Sequence, residues 1–187
     1  MRGYGQHLGY DYLETHLPII QMELIRAILA ITIAKHLKIQ QMDVKGAYLN
    51  GILKETIYMH QPNSFKNGTT RVCHLIRTLY GLKQSSHKWN AKFNKKMKMW
   101  EYKRLRADPY IYIHSEAGKI VIVTIWVDDL LLFTDSEETM EEIKKDIHAK
   151  WETTDMGKPT KIVRIEITQS LGQISISQRK SIENILK

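Results

Sequence analysis

The sequence predicts an α+β domain in which helices pack against one face of a small, mostly antiparallel sheet. Three observations carry that expectation. Two apolar runs of strand length, Ile120 to Val127 and Leu130 to Phe133, are separated only by the adjacent acids Asp128 and Asp129, as in two buried strands joined by a tight turn. Trp89, Phe93, Met97 and Trp100 recur at spacings of four, four and three, and Met140, Ile143, Ile147 and Trp151 form a comparable series. Each series traces one face of an α-helix. Between these elements lie short strand-like runs punctuated by Gly, Asn and Pro, with no internal repeat.

In chain order, Met1 to Thr15 reads as loop or frayed strand. Pro18 precedes a helical stretch, Met22 to Leu37, whose apolar positions are too broad for a single stripe and predict burial on most of its circumference. In Lys38 to Asn50, Ile39, Gln41 and Asp43 alternate with Gln40, Met42 and Val44, predicting a strand that runs to Asp43 and breaks at Gly46. Thr56 to His60 and Arg71 to Ile76 are strands joined by a loop containing Asn67-Gly68. Ser85 and Ser86 are N-cap candidates for the helix of Trp89 and Phe93. That helix carries Lys88, Lys92, Lys95, Lys96 and Lys98 on its other face, a pattern open to simple solvation or to contact with a phosphate backbone. Pro109 to His114 is a strand, and Ala117-Gly118 a turn. Thr134 to Glu138 signals a helix start, and Asp155, Gly157 and Pro159 its end. Strands at Lys161 to Thr168 and Gln173 to Gln178 precede a last helix near Arg179.

Composition narrows the partners. The 187 residues carry a net charge of +8 with 43% hydrophobic content, enough for a real core and a surface suited to nucleic acid. Cys73 is the single cysteine, which excludes an internal disulfide or a zinc ribbon and suits a reducing, intracellular setting. The most apolar stretches are interrupted by charges, so no membrane span is predicted.

The costly feature is the acid pair. Two carboxylates about 4 Å apart repel by roughly 4 kcal/mol at an effective dielectric near 20, and apolar walls add to the penalty. A hairpin turn alone favours Asn-Gly, Asp-Gly or another Gly-containing pair, whereas a divalent cation neutralises clustered carboxylates with oxygen ligands. The hairpin alone leaves both readings open. Asp43, an acid at the end of another strand, is open in the same way between a turn residue and a chemical one.

QMDVKGAYLNG at Gln41 to Gly51, LYGLKQSSHKW at Leu79 to Trp89 and WVDD at Trp126 to Asp129 resemble, in order and spacing, the reverse transcriptase of Ty1/copia-type LTR retrotransposons. RGYGQ, DYLETHLPI, IYMHQP, DPYIYI and ISISQRKSIENIL extend the resemblance over nearly the whole chain. It implies a right-hand polymerase palm with partial fingers and the start of a thumb across 1–187, an earlier finger strand and most of the thumb lying outside the sequence. It implies RNA-directed DNA polymerase activity, a nucleotidyltransferase using two Mg²⁺ ions, with Mn²⁺ as an alternative. Asp43, Asp128 and Asp129 are then the catalytic carboxylates and, with the Val44 carbonyl, the metal ligands. Tyr48, Tyr80, Gly81, Lys83 and Gln84 are implied to bind the incoming dNTP. Trp126, Arg77, Lys88 and Lys92 are implied to meet the DNA primer and the RNA template. Tyr48 has a rival reading as a buried structural tyrosine. The other implied partners are the protease, integrase and RNase H modules of a Pol polyprotein, in a cytoplasmic virus-like particle with access to the nucleus.

The sequence departs from the family pattern in three places. Trp126 stands where Tyr is commoner, Ser85-Ser86-His87 replaces a small residue or proline followed by arginine, and Arg164 replaces a glycine in the primer-grip region. Arg164, with the finger strand that the resemblance places outside the sequence, supports the alternative of a truncated, non-catalytic remnant that retains nucleic-acid binding, whereas the presence of Asp43, Asp128 and Asp129 supports catalysis and Trp126 still supplies an aromatic surface near the primer end.

Overall fold

Helix α1 (Met22–Ala34) leads into β1 (Lys38–Val44) through His36, whose φ is +52°. A 3₁₀ turn at Ala47–Asn50 precedes β2 (Tyr58–His60), β3 (Val72–His74) and α2 (Ser85–Met99). Then come β4 (Lys103–Arg104), β5 (Ile111–Glu116), β6 (Lys119–Trp126), β7 (Asp129–Thr134) and α3 (Glu137–Lys150). The chain continues with β8 (Thr153–Gly157), β9 (Lys161–Ile162), β10 (Ile165–Ser170), β11 (Gln173–Ser177) and α4 (Arg179–Ile185). This computed structural model describes residues 3–12, 22–116, 118–162, 165–170 and 172–186. The expectations placed on Pro18, Ala117 and Arg164 lie outside the described residues.

The chain divides into two compact units, one built on Gly46–Lys96 with residues 3–12, the other on residues 22–45 and 97–186. In the second, a six-stranded sheet runs β4-β5-β6-β7-β1-β8, every neighbouring pair antiparallel. The strands at its centre are apolar because both faces are covered: Leu130, Leu132, Phe133 and Ile125 are all at most 2% exposed. β1 lies opposite β7 in the register Ile39↔Phe133, Gln41↔Leu131 and Asp43↔Asp129. Alternation therefore puts Gln41, Asp43, Asp129 and Leu131 on one face, and Met42, Val44, Leu130 and Leu132 on the other.

Helix α3 packs on the second face. Ser136 caps it by accepting a hydrogen bond from the Thr139 amide, and Met140, Ile143 and Ile147 form the buried stripe. On the face with the acids, Ile25 of α1 and Ile162 of β9 join Gln41, Thr124, Trp126, Asp129 and Leu131 around a cavity of about 20 Å³. The α+β class and antiparallel sheet agree with the sequence expectation, but cover is not confined to one face.

Other expectations need correction. Helix α1 buries a single stripe, Ile25, Ile28, Leu29 and Thr32, while Ile31 is 40% exposed; its apolar excess does not mean burial all round. Thr153–Gly157 does not merely end α3. It forms β8 and adds an edge to β1, with a register shift between Gln41 and Met42, the kind of bulged, polar edge strand that periodicity does not detect. Ser85 opens α2, and its hydroxyl donates to the Leu79 carbonyl.

In the first unit, β2 and β3 pair as an antiparallel ribbon. Trp89 and Phe93 of α2 are buried with their rings in edge contact, centroids 5.6 Å apart. Leu53, Ile57 and Leu82 form a further core cluster.

Candidate active site

The β6–β7 turn is not centred on the two acids. Trp126 pairs with Asp129, so the two-residue loop is Val127-Asp128, and Asp129 is the first residue of β7. Val127 has φ +55°, a left-handed conformation that a β-branched residue adopts only when its surroundings impose it. The turn geometry that normally calls on glycine is here forced on valine. The Val44 amide donates to the Asp128 carbonyl at 2.8 Å, which docks the loop onto β1.

That bond fixes the kind of pairing next to it. Val44 and Asp128 are a hydrogen-bonded pair, so the neighbouring pair Asp43↔Asp129 is of the non-hydrogen-bonded kind, in which opposed Cα atoms approach to about 4.5 Å and side chains are closest. Two carboxylates thus emerge side by side from adjacent strands, both half-buried, with the third acid one residue away in the loop. Oδ1 of Asp128 is shielded from solvent. Gln41 Nε2 donates to Asp129 Oδ1 at 2.8 Å. Beside Asp43 in sequence, Lys45 pairs with Glu152 at 2.8 Å. Its hydrogen bond and attraction to Glu152 hold the ammonium above its ordinary pKa, with Asp43 adding to the pull.

The donor set suits a hard divalent cation. Asp43, Asp128 and Asp129 offer carboxylate oxygens and Val44 a carbonyl oxygen, donors of the kind that Mg²⁺ prefers. Among the described residues, the side chains are not already gathered into a three-ligand group of His, Cys, Asp or Glu. Mutual repulsion opposes such gathering in the absence of a positive charge.

The other sequence-assigned residues belong to the first unit, except Trp126, which is half-buried at the end of β6. Tyr48 is also half-buried, its ring 4.8 Å from that of Tyr80. The Thr78 hydroxyl donates to the Tyr48 carbonyl, and the Thr78 amide donates to Gly51 at 3.0 Å. A Cβ on Gly51 would collide with Thr78 Oγ1 and meet Lys88 Cβ at 3.0 Å, so the closing glycine of QMDVKGAYLNG is required by contact rather than by φ. Gly81 does need its freedom, at φ +93°.

Lys83 and Gln84 are tied to the N-terminal segment. The Lys83 amide donates to Gln6 Oε1 at 2.9 Å and its ammonium to the Tyr12 hydroxyl at 3.1 Å. Gln84 is 1% exposed and bonds to Gln6 and to the Asp11 carbonyl. Lys88 forms a half-buried ion pair with Glu55 at 2.9 Å, and Lys92 donates to the Asn50 carbonyl at 2.9 Å. Both lysines brace their own unit, and the exposed cations of α2 are Lys95 and Lys98. Arg77 is exposed beside Ile52. Sequence reasoning missed Gln41 and Thr78; the signal for Gln41 was its place two residues before Asp43, on the same face of the strand.

A separate cavity of about 440 Å³ opens on the α3 face, with Trp100, Tyr102, His114, Ile143 and Asp146 in its lining. Burial, with Asp146 nearby, pushes the Tyr102 hydroxyl up to about 12. None of the sequence-assigned residues lines it.

A family model described as "Reverse transcriptase (RNA-dependent DNA polymerase)" matches residues 1–187. The chain is 32% identical to the Retrovirus-related Pol polyprotein from transposon TNT 1-94 of Nicotiana tabacum, over all of this chain and 14% of that protein. It is 28% identical to the Retrovirus-related Pol polyprotein from transposon RE1 of Arabidopsis thaliana, over 99% of this chain and 13% of the relative. The Transposon Ty1-BL Gag-Pol polyprotein of Saccharomyces cerevisiae is 25% identical over 67% of this chain and 7% of its own length. The chain thus spans a small fraction of each of these relatives. Among the described residues no helix is long and apolar enough to cross a membrane.

Proposed function

Because the chain belongs to the reverse transcriptase (RNA-dependent DNA polymerase) family, we propose that it is the polymerase module of a copia-type Pol polyprotein, extending a DNA primer with dNTPs on an RNA or DNA template. The observation that carries this reading is the Asp43↔Asp129 cross-strand pair beside Asp128 in the docked loop. Asp43, Asp128 and the Val44 carbonyl would be the principal ligands of two Mg²⁺ ions, with Asp129 the more peripheral one. When bound, those ions stabilise charge on the attacking 3′-hydroxyl and on the leaving pyrophosphate during in-line phosphoryl transfer.

The protein's own part is to hold these oxygens on a rigid sheet. β1 and β7 are central strands, and the Val44–Asp128 hydrogen bond keeps the loop against β1. Trp126, opposite Asp129, offers an aromatic surface for the primer end. Tyr48 is assigned to discrimination against a ribose 2′-hydroxyl by family resemblance, supported by its partial exposure. Arg77 and the solvent-facing lysines of α2 supply phosphate contacts. Protease, integrase and RNase H modules complete the proposed polyprotein, which acts within a cytoplasmic virus-like particle.

The test is primer extension on an RNA template with Mg²⁺. Asp128→Asn is expected to abolish extension, and undiminished synthesis by that variant would refute the metal assignment. Template binding without extension by the wild type would instead support the non-catalytic remnant. Tyr48→Val is expected to raise ribonucleotide incorporation, and an unchanged sugar preference would leave Tyr48 a packing role only.

A further inference from the structure

We propose that Gln41 is a positioning residue for the Asp129 carboxylate and so sets the affinity of this acid face for divalent cations, an inference that rests on reading the face as a metal site. Gln41 lies two residues before Asp43 and opposite Leu131, which places its side chain on the face that carries Asp43 and Asp129. Its Nε2 donates to Asp129 Oδ1 at 2.8 Å. The bond is charge-assisted and partly buried, which makes it both stronger and more directional than an exposed one.

The surroundings show why an amide here is informative. Ile39, two residues earlier on the same face, is 2% exposed, and the opposed residues Leu131 and Phe133 are 6% and 2% exposed. An apolar side chain would continue that run at no desolvation cost, whereas a glutamine must be compensated by a hydrogen bond. Asp129 supplies it. The cavity of about 20 Å³ bounded by Ile25, Gln41, Thr124, Trp126 and Asp129 leaves little room for the amide to turn elsewhere. Asp129 stands in a close pair with Asp43, and repulsion would rotate an unheld carboxylate out of the face. An amide donor on Oδ1 opposes that rotation.

Partners that orient a ligating group from behind matter to cation binding, and their loss costs about 10–100-fold in affinity or activity. The experiment measures Mn²⁺ binding to the full chain by titration calorimetry and by the paramagnetic resonance signal of the free ion. The proteins are wild type, Gln41→Leu, Gln41→Met and Gln40→Leu, with circular dichroism melts as the control for folding. Met keeps the length of the side chain without the donor, so it carries the test if Leu perturbs the sheet. Gln40 lies on the opposite face of the same strand and bonds to Glu137, so its change controls for a general effect on β1. The expected result is Mn²⁺ affinity about 10–100-fold weaker in both Gln41 variants and unchanged in Gln40→Leu. Unchanged affinity in folded Gln41 variants would overturn this inference and leave the metal reading standing. Equal loss in Gln40→Leu would overturn it as well, by making the effect one of the whole strand. A folded wild type that binds no Mn²⁺ would overturn the metal reading and this inference together.

Discussion

The two faces of β1 and β7 do different work with alternate residues of the same strands. On the α3 face, Met42, Val44, Leu130 and Leu132 are 0–2% exposed and meet the buried stripe of α3. On the other face, Asp43 and Asp129 stand in a close pair, half-buried, with Gln41 braced against them. The first arrangement lowers the free energy of the fold, and the second raises it. A period of two lets one strand do both, since the residues that hold it in place are one position away from those that carry charge.

The two faces are expected to respond differently to mutation. Leu132→Ala removes a fully buried side chain and is expected to cost about 2–5 kcal/mol in chemical denaturation. Asp43→Asn, on the opposite face, is expected to change stability by less than about 0.5 kcal/mol, or to raise it, because it relieves repulsion. A cost for Asp43→Asn comparable with that of Leu132→Ala would make the acid face a structural one.

A smaller effect sharpens the contrast at the turn. Val127→Gly relieves a left-handed valine, worth about 1–2 kcal/mol, against the greater unfolded-state entropy of glycine, about 0.5–1 kcal/mol. The net expectation is a stabilisation of about 0.5–1 kcal/mol, accompanied by slower extension because the loop that places Asp128 loosens. Destabilisation by Val127→Gly would mean that the turn is not strained.

The smallest effect belongs to the edge of the α3 face. Lys144 bridges Glu141 at 2.9 Å and Asp155 at 2.8 Å. Burial by itself would raise the Asp155 carboxyl, but the Lys144 ammonium and the Gly157 amide hold it below the ordinary range. A lowered native pKa gives stability that is full above the unfolded value, about 3.9, and lost as pH falls through the native one. Lys144→Met is therefore expected to cost at most about 0.5 kcal/mol near neutral pH, since Asp155 remains partly solvated. The difference from wild type should shrink below about pH 4. A difference that stays constant down to pH 2 would assign the effect to packing of the lysine stem.

The core was legible because its signals are periodic. Met140, Ile143, Ile147 and Trp151 point one way on any helix, and β6 and β7 are mostly apolar. β8 was not, since Thr153, Thr154 and Asp155 carry no apolar alternation, and only its partner β1 makes them a strand. At the site, Asp43, Asp128 and Asp129 were visible as acids in apolar settings, and the register brings Asp43 and Asp129 together. The left-handed Val127 could not be read from its residue type, which argues against that conformation. The internal use of Lys88 and Lys92 was equally hidden, because a row of lysines on a helix does not reveal which of them have carboxylate or carbonyl neighbours.

On the proposed function, the acid face of β1 and β7 supports divalent-cation-dependent DNA synthesis. The most direct measurement compares Mg²⁺-dependent extension of a primer on an RNA template by the wild type and by Asp43→Asn at equal folded concentration. Synthesis is expected to saturate with Mg²⁺ in the wild type and to be lost in Asp43→Asn, while both melt at nearly the same temperature. Synthesis by a folded Asp43→Asn at the wild-type rate would contradict it.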